Sequence, residues 1–363
     1  KLHSLNAVCP YFTMFPLEFP LSVLARRASE ARLILDPFCG RGTTLYAARH
    51  RGVRAIGIDC SPIAVAISRA KLVGVSVDGP LDLARRILAE HDHVETPTSD
   101  FFRLAFDADT LRDICRLRAG LLKAVDTDET VLLRAVLLGV LHGPRTTTQS
   151  YLSNQMQRTF SAKPDYAVRY WRARGLEPPK VDVLAAIERK LKRIALGRYA
   201  RIRRGWRDVL CGDASTQAVF RRVPAGIDAV ITSPPYYGMR TYVADQWLRN
   251  WFLGGPPHVD YSDPGDLPSS SPDDFAAALG RTWRNAAARG SDQFRLFVRF
   301  GAIPSRAVNA RELLLASLEA SGITWRIVSV RNAQTADAGK RQVGQMRTYG
   351  APAEEFDLHA MPA

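Results

Sequence analysis

Cysteine is scarce in this sequence, and the few cysteines show no pairing. Five occur, at Cys9, Cys39, Cys60, Cys115 and Cys211, and no two stand in a Cys-x-x-Cys arrangement. This absence excludes a disulfide framework and a structural zinc site, and we expect no bound metal. A run of about 18 apolar residues is missing, as are the basic and apolar segments of a signal peptide. These absences predict a protein of the cytoplasm with no membrane partner.

What is present is an ordinary globular composition with a strong positive charge. The 363 residues are 46% hydrophobic and 24% charged, which excludes the disordered and membrane classes. Lys and Arg number 50 against 36 Asp and Glu, for a net charge of +14 at pH 7. This excess favours a polyanionic partner, held through phosphate contacts. The length allows a catalytic domain with an added recognition region.

The first part of the chain alternates short apolar runs with helical patterns. An apolar run at Leu33–Asp36 and a glycine-rich turn precede the helical pattern Thr43–His50, and a second apolar run follows at Val53–Asp59. This order predicts a β-α-β unit that opens a parallel sheet. Pro62 at a first helical position predicts a further helix over Ile63–Leu72.

A long helical and basic segment interrupts this alternation. Its helical patterns are Leu81–His91, Thr110–Val125, Glu129–Leu141 and Val181–Leu196. Between Arg145 and Arg204 there are fifteen Lys or Arg residues against four Asp or Glu. We therefore predict a mostly helical basic insertion over residues 76–205.

Strand patterns resume after the insertion and complete a doubly wound sheet. The predicted strands are 208–213, 227–232, 294–300, 324–330 and a closing edge strand at 355–359, with helices at 216–222, 274–289 and 307–321. Residues 259–272 are predicted to be a loop and Gln334–Arg347 to be mobile. Three regions follow: 1–75, an N-terminal arm with the first half of the sheet domain; 76–205, the insertion; and 206–363, the second half.

The glycine-rich turn is the first candidate binding site. It reads Asp36-Pro37-Phe38-Cys39-Gly40-Arg41-Gly42-Thr43-Thr44, and its two glycines let a ligand approach backbone at a helix N-terminus. It lacks the Lys of a Walker A loop and the third glycine of the dinucleotide fingerprint. Asp59 ends the second strand, where it can accept ribose hydroxyls, and Asp213 follows the third. Together they predict one ligand-facing rim, the alternative being ordinary turn-forming Asp residues.

A second candidate site is Ser233-Pro234-Pro235-Tyr236, which directly follows a predicted strand. The prolines stiffen the turn and leave carbonyls free to face a substrate. The exocyclic amine of a nucleobase is a poor nucleophile, and it needs acceptors for its hydrogens and a fixed alignment. The Ser233 hydroxyl and the Pro234 carbonyl can accept, and the Tyr236 ring can stack on a flipped base. The alternative is a plain Pro-Pro turn.

Both segments resemble motifs of S-adenosylmethionine (SAM)-dependent amino-methyltransferases. The resemblance implies an α/β, Rossmann-like fold with a doubly wound mixed sheet and SAM as cofactor. It implies that the methionine end of SAM is bound by residues of the turn, namely Asp36, Phe38, Gly40, Gly42 and Thr43. By the same resemblance Asp59 binds the ribose and Asp213 the adenine amino group. The segment Tyr11–Pro20 is similar to a further motif that packs on the cofactor, which would add Tyr11 and Thr13; the alternative is a hydrophobic N-terminal arm.

The stretch Thr232–Tyr242 resembles the catalytic region of the N4-cytosine DNA methyltransferases, in which Ser is the usual first residue of the tetrapeptide. The resemblance implies direct methyl transfer to a flipped cytosine in double-stranded DNA, in a prokaryotic, nucleoid-associated enzyme with a cognate restriction endonuclease as possible partner. N6-adenine methylation, RNA base amino-methylation and an inactive DNA-binding subunit remain alternatives. A C5-cytosine mechanism is discounted, because Cys9-Pro10 reverses the required order.

Candidate DNA contacts lie mainly in the basic insertion. The segment Gly143–Gln155 is rich in hydroxyl and amide groups that can bond phosphates or base edges. The predicted contacts are Arg145, Gln149, Ser153, Asn154, Arg158, Lys163 and, outside the insertion, Arg240. A solvated face is the alternative, and for Arg198–Arg204 the two interpretations are equal. Neither the oligomeric state nor the recognition sequence is predicted.

Overall fold

The structure is a computed structural model that describes residues 4–11, 16–90, 93–146, 149–197, 205–238, 243–260, 271–301, 308–333 and 354–363. The predictions for Thr13, Arg240, Arg198–Arg204 and Gln334–Arg347 lie outside these residues, as does most of the loop 259–272. The chain forms two compact units. A helical unit draws on Lys1–Met14, Ala66–Trp206 and Tyr242–Pro264, and a sheet unit on Phe15–Val65, Arg207–Thr241 and Gly265–Ala363.

The sheet unit is built on seven strands. They are β1 (Leu33–Asp36), β2 (Arg54–Asp59), β3 (Val209–Cys211), β4 (Ile227–Thr232), β5 (Gly290–Gly301), β6 (Trp325–Asn332) and β7 (Glu355–Pro362). Their order in the sheet is β3-β2-β1-β4-β5-β7-β6. The first five pair in parallel, and β7 is antiparallel to both of its neighbours. The order reverses direction at β1, so the predicted α/β class and the Rossmann-like, doubly wound mixed sheet are confirmed.

The prediction that the last strand closes the edge of the sheet is wrong. β7 lies between β5 and β6, and β6 forms the edge. The burial of the two strands gives the reason. Leu358, His359 and Ala360 at the centre of β7 are buried, whereas most side chains of β6 are exposed or half-exposed. A strand buried in its middle belongs inside a sheet, and one whose side chains stay in solvent, as Ile327 and Val328 do here, lies at its edge.

Helices α1 (Glu18–Arg26), α2 (Thr43–Arg51), α10 (Gln217–Phe220), α12 (Pro272–Ala287) and α13 (Ala310–Ala320) belong to the sheet unit. Helix α12 starts where the sequence chemistry dictates, because the Ser271 hydroxyl caps it by accepting from Asp274 N, with Pro272 in the first turn. Its buried face carries Phe275, Leu279 and Trp283, which join the apolar core of the unit. This core supports the strands whose ends form the site described below.

The helical unit contains α4 (Asp78–Glu90), α5 (Asp100–Ala105), α6 (Ala108–Lys123), α7 (Asp128–Val140), α8 (Pro164–Ala173), α9 (Val183–Ala195) and α11 (Val243–Phe252). Helix α3 (Pro62–Ala70) spans the boundary between the two units. The periodicity predicted α4, α6, α7 and α9 but missed α5, α8 and α11. Helices α5 and α8 bury only a few side chains each. Among the described residues, no helix combines the length and the apolar character needed to cross a membrane.

A buried arginine organises one part of the helical unit. The side chain of Arg249, on α11, is fully buried. Its guanidinium donates to the carbonyl oxygens of Leu138 at 3.1 Å, Arg158 at 2.7 Å and Thr159 at 3.1 Å, and to Gln246 Oε1 at 3.0 Å. The charge therefore meets four acceptors without a carboxylate, and it ties the segment around Arg158 to α7 and α11.

Candidate cofactor and catalytic site

The carboxyl ends of four neighbouring parallel strands form one edge of the sheet unit. Asp36 is the last residue of β1 and Asp59 the last residue of β2. Asp213 follows β3 by two residues, and Ser233 comes directly after β4. Because β3, β2, β1 and β4 are adjacent and parallel, these residues share the edge at which doubly wound sheets bind ligands.

A hydrogen bond joins the two sequence motifs directly. Thr232 Oγ1 donates to Asp36 Oδ1 at 2.6 Å, across a separation of 196 residues in the chain. Thr232 is fully buried and immediately precedes Ser233, so the first residue of the glycine-rich turn is tied to the residue just before the tetrapeptide. We had not predicted Thr232 as a site residue, because a Thr at the end of a strand carries no signal of its own.

Asp36 combines full burial with one unused oxygen. Its Oδ1 also accepts from Phe38 N at 3.2 Å, whereas Oδ2 is buried and has no partner among the described residues. Burial raises the pKa of Asp36 to about 6, against the hydrogen-bonding groups of Thr232, Thr44 and Phe38 N, which lower it. A buried carboxylate oxygen without a donor is unfavourable in the folded protein, and a cationic or N–H ligand relieves that penalty.

The turn that follows Asp36 depends on two glycines in the left-handed region. Gly40 has φ +50° and Gly42 has φ +76°, and Gly42 is the N-cap of α2. A Cβ added at Gly40 meets nothing within 4 Å, so the space beside its backbone is open. Thr43 begins α2 and is buried. Open backbone at the N-terminus of a helix suits a ligand with negative or acceptor groups.

Asp59 braces this turn from the neighbouring strand. Its Oδ2 accepts from Gly40 N at 2.8 Å and its Oδ1 accepts from Ser61 N at 2.9 Å. Each carboxylate oxygen offers two lone pairs, so both can still accept a hydroxyl while holding these amides. Asp213 is exposed, and its carboxylate accepts from the backbone and the hydroxyl of Ser215 at 2.7 and 2.9 Å. Asp59 thus has a bracing role in addition to its predicted binding role.

The residues of the tetrapeptide differ in their exposure to solvent. Ser233 and Pro235 are half-exposed, and Pro234 is buried. The Tyr236 ring is anchored: its hydroxyl donates to Glu355 Oε1 at 2.5 Å, and its edge meets Phe300 with ring centroids 5.8 Å apart. Burial raises the pKa of Tyr236 well above its ordinary value, so the phenol stays a neutral donor. A ring held in this way is a fixed surface.

The partner of Tyr236 was missed by the sequence reasoning. Glu355 begins β7 and pairs with Gly301 of β5, where a Cβ would come within 2.9 Å of Tyr236 Cζ. Two residues along the same ladder, Arg299 forms a bidentate pair with Asp357 at 2.7 and 2.8 Å. No pattern in the sequence connects Glu355 with Tyr236, because their contact depends on β7 pairing inside the sheet.

The predicted DNA contacts occupy unlike positions in the helical unit. Arg145, Gln149, Arg158 and Lys163 are exposed, and Asn154 is half-buried. Ser153 is fully buried and its backbone pairs with Leu141 and Gly143, so it does not share their surface. Tyr11, predicted at the cofactor, is a buried residue of the helical unit. Their binding roles stay predictions.

Comparison with known proteins finds similarity over the first part of the chain. Residues 2–69 match the family model described as DNA methylase. This stretch includes β1, the glycine-rich turn and Asp59. Over 67 residues the chain is 36% identical to the Type II methyltransferase M.MjaII of Methanocaldococcus jannaschii, a match that covers 18% of this chain and 13% of that protein.

Among solved structures, the chain aligns with the rRNA methyltransferase aviRa from Streptomyces viridochromogenes. One of its structures covers 98% of this chain and 90% of its own at 12% identity, with a TM-score of 0.35. A second structure of the same protein gives a TM-score of 0.33.

Proposed function

We propose that this chain transfers a methyl group from SAM to the exocyclic N4 amino group of a cytosine flipped out of double-stranded DNA. The observation that carries the proposal is the hydrogen bond between Thr232 and Asp36. It joins a turn suited to a cofactor with a tetrapeptide suited to an amino group, at the edge of the sheet where ligands bind. The match of residues 2–69 to a DNA methylase family supports the same conclusion.

The residues at this edge fit SAM. The unpartnered Oδ2 of buried Asp36 suits an ammonium group, and the open space at Gly40 admits the ligand beside the backbone. Asp59 can accept ribose hydroxyls, and exposed Asp213 can accept from an adenine amino group. Phe38, packed edge-on against Trp283 with centroids 6.2 Å apart, adds an apolar wall. When bound, SAM supplies a methyl group on a cationic sulfonium.

The tetrapeptide prepares the amino group that receives the methyl. The Ser233 hydroxyl and the Pro234 carbonyl accept the amino hydrogens, which frees the nitrogen lone pair from the ring and directs it along one line. Tyr236 holds the flipped base by stacking, and its fixed position keeps that alignment. The amino nitrogen gains a bond to carbon as the sulfur–carbon bond breaks, and one amino proton leaves to solvent.

The proposal also includes the biological system, the partner and the location of the enzyme. The name of the M.MjaII relative supports a role in a restriction–modification system, with a cognate endonuclease as partner and the prokaryotic nucleoid as location. The positive excess of the helical unit supports phosphate contacts with DNA. Adenine N6 and RNA base amino groups need the same acceptors, so the choice of cytosine depends on Ser233.

Transfer of tritium from labelled SAM to duplex DNA, followed by nucleoside analysis, tests the proposal. We expect N4-methylcytosine, and its loss in both Asp36→Ala and Ser233→Ala. Transfer that survives both substitutions contradicts the site. Label found in N6-methyladenine or only in RNA contradicts the assignment of cytosine in DNA, and a failure to transfer to any nucleic acid favours an inactive binding subunit.

A further inference from the structure

One exposed face of α8 carries a stack of flat side chains. Tyr166, Tyr170 and Arg174 lie four residues apart, so they follow one line along the helix. The two tyrosine rings are stacked, with centroids 6.0 Å apart and planes at 29°, and Arg174 Cζ lies 3.9 Å from the centroid of Tyr170. Tyr166 is 62% exposed and Tyr170 39% exposed. These rings are large apolar groups left in solvent.

Cations flank this stack on its own side of the helix. At about 100° per residue, Arg169 lies about 60° from Tyr166 and about 40° from Asp165 around the helix, and Lys163 is the N-cap residue just before its first turn. Both cationic side chains are exposed. The packed side of α8 lies about 100° around the helix from the stack, since Ala167 and Trp171 are its buried residues. The face therefore combines aromatic rings with positive charge.

We infer that this face, here called the α8 stack, binds nucleic acid that has unpaired bases. An aromatic face is needed only where a base is available for stacking, because a paired duplex presents phosphates and groove edges. The flanking Lys163 and Arg169 match the phosphates between such bases. The inference deepens the proposed function and rests on it: an enzyme that flips a base unstacks the strand, and the α8 stack provides a surface for unstacked bases.

Binding of two strands of equal length tests the α8 stack. One is a single-stranded oligonucleotide, and the other carries abasic sites in place of its bases. Tyr166→Ala and Tyr170→Ala are expected to weaken binding of the first strand about tenfold and leave the second unchanged. Tyr→Phe at either position should retain binding, since it keeps the ring. Arg169→Gln should weaken both strands and lower the salt dependence by about one counterion.

Matched controls separate stacking from general damage. Val125→Ala removes another exposed apolar side chain of the helical unit and should change neither affinity. Three results would each overturn the inference. They are an equal loss of affinity for both strands, unchanged affinity in both Tyr→Ala variants, and a change in self-association instead of DNA affinity. Methyl transfer at saturating DNA should persist in Tyr166→Ala. If the unaltered chain transfers no methyl group but still shows base-dependent binding through these tyrosines, only the proposed function fails.

Discussion

The two units differ in how completely a buried charged side chain is hydrogen-bonded. In the helical unit the guanidinium of Arg249 is fully buried and meets four acceptors. In the sheet unit Asp36 is equally buried, yet its Oδ2 has no partner among the described residues. Arg249 uses four of its five N–H donors on acceptors of the protein and so holds structure together, whereas the unpaired oxygen of Asp36 stays unfavourable until a ligand donates to it. A buried charged group with an oxygen left without a donor therefore marks a candidate ligand-binding site.

The largest expected effect tests the structural half of this comparison. Arg249→Met keeps much of the volume and removes the donors that the carbonyls of Leu138 and Arg158 accept from, whereas Thr159 O keeps its bond from Gln246 Nε2 at 2.9 Å. We expect the free energy of unfolding to fall by about 3–5 kcal/mol in urea denaturation. Arg85→Met, at an exposed arginine that forms an ion pair with the exposed Asp82, should change it by less than about 0.5 kcal/mol. Equal losses of unfolding free energy in the two variants would contradict the structural role of Arg249.

Asp36→Asn tests the other half. The substitution keeps the shape and the Oδ1 acceptor but removes the charge that we assign to an ammonium ligand. SAM affinity measured by calorimetry should fall about 10- to 100-fold, the range of a charge-assisted hydrogen bond. The fold should not suffer, because the ionised carboxyl is itself unfavourable when buried. A large loss of stability, comparable to that of Arg249→Met, contradicts the assignment.

The raised pKa of Asp36 makes the stability of the sheet unit depend on pH, which extends the comparison. Its pKa is about 6 in the folded protein against the ordinary value of 3.8 for an exposed Asp, so the folded chain holds the proton more tightly than the unfolded chain does. The resulting stability, about 3 kcal/mol, is fully present below pH 3.8 and lost as the pH rises through about 6.

SAM affinity should change in the opposite direction, since the ligand needs the carboxylate. We expect it to weaken by up to about tenfold per pH unit below pH 6. Calorimetric titration across this range checks the slope, and Asp36→Asn should remove it. A slope that persists in Asp36→Asn identifies another group as its source.

The smallest expected effect concerns the hydrogen bond between Tyr236 and Glu355. Tyr236→Phe keeps the ring and removes the hydrogen bond to Glu355, and Glu355→Ala removes it from the other side. Each should lower turnover by about fivefold, near 1 kcal/mol, with the KM for SAM unchanged. The double variant should be no slower than either single one, and Glu355→Gln, which keeps an acceptor, should restore much of the rate. Additive losses would show that the pair does not act as one unit.

Local signals in the sequence were enough to predict most of the fold. Apolar runs that end on Asp36 and Asp59 gave two strands at the observed positions, and Ile227–Thr232 was predicted without error. Helices with a wide buried face, such as α7, were equally clear. Helix α8 was missed because only two of its side chains are buried, so its apolar period is too weak to recognise.

The site was predictable as two motifs but not as one assembly. Asp36, Gly40 and Ser233 are visible because each stands beside a strand pattern and a turn pattern. Thr232 and Glu355 were missed because their roles come from contacts across 196 and 119 residues, set by the order of strands in the sheet. A short polar side chain has no periodicity that could report such a partner, and β7 was expected at the wrong place in the sheet.

The position of β7 also constrains how the chain is made. β6 leaves the ribosome before the strand that must lie between it and β5, so the outer edge of β5 stays unpaired until residues 302–362 have emerged. An open edge of this kind invites pairing with other nascent chains. Closure of the sheet also delivers Glu355 to Tyr236. The pairing of β7 with β5 therefore fills the inner part of the sheet and anchors the Tyr236 ring in the same step.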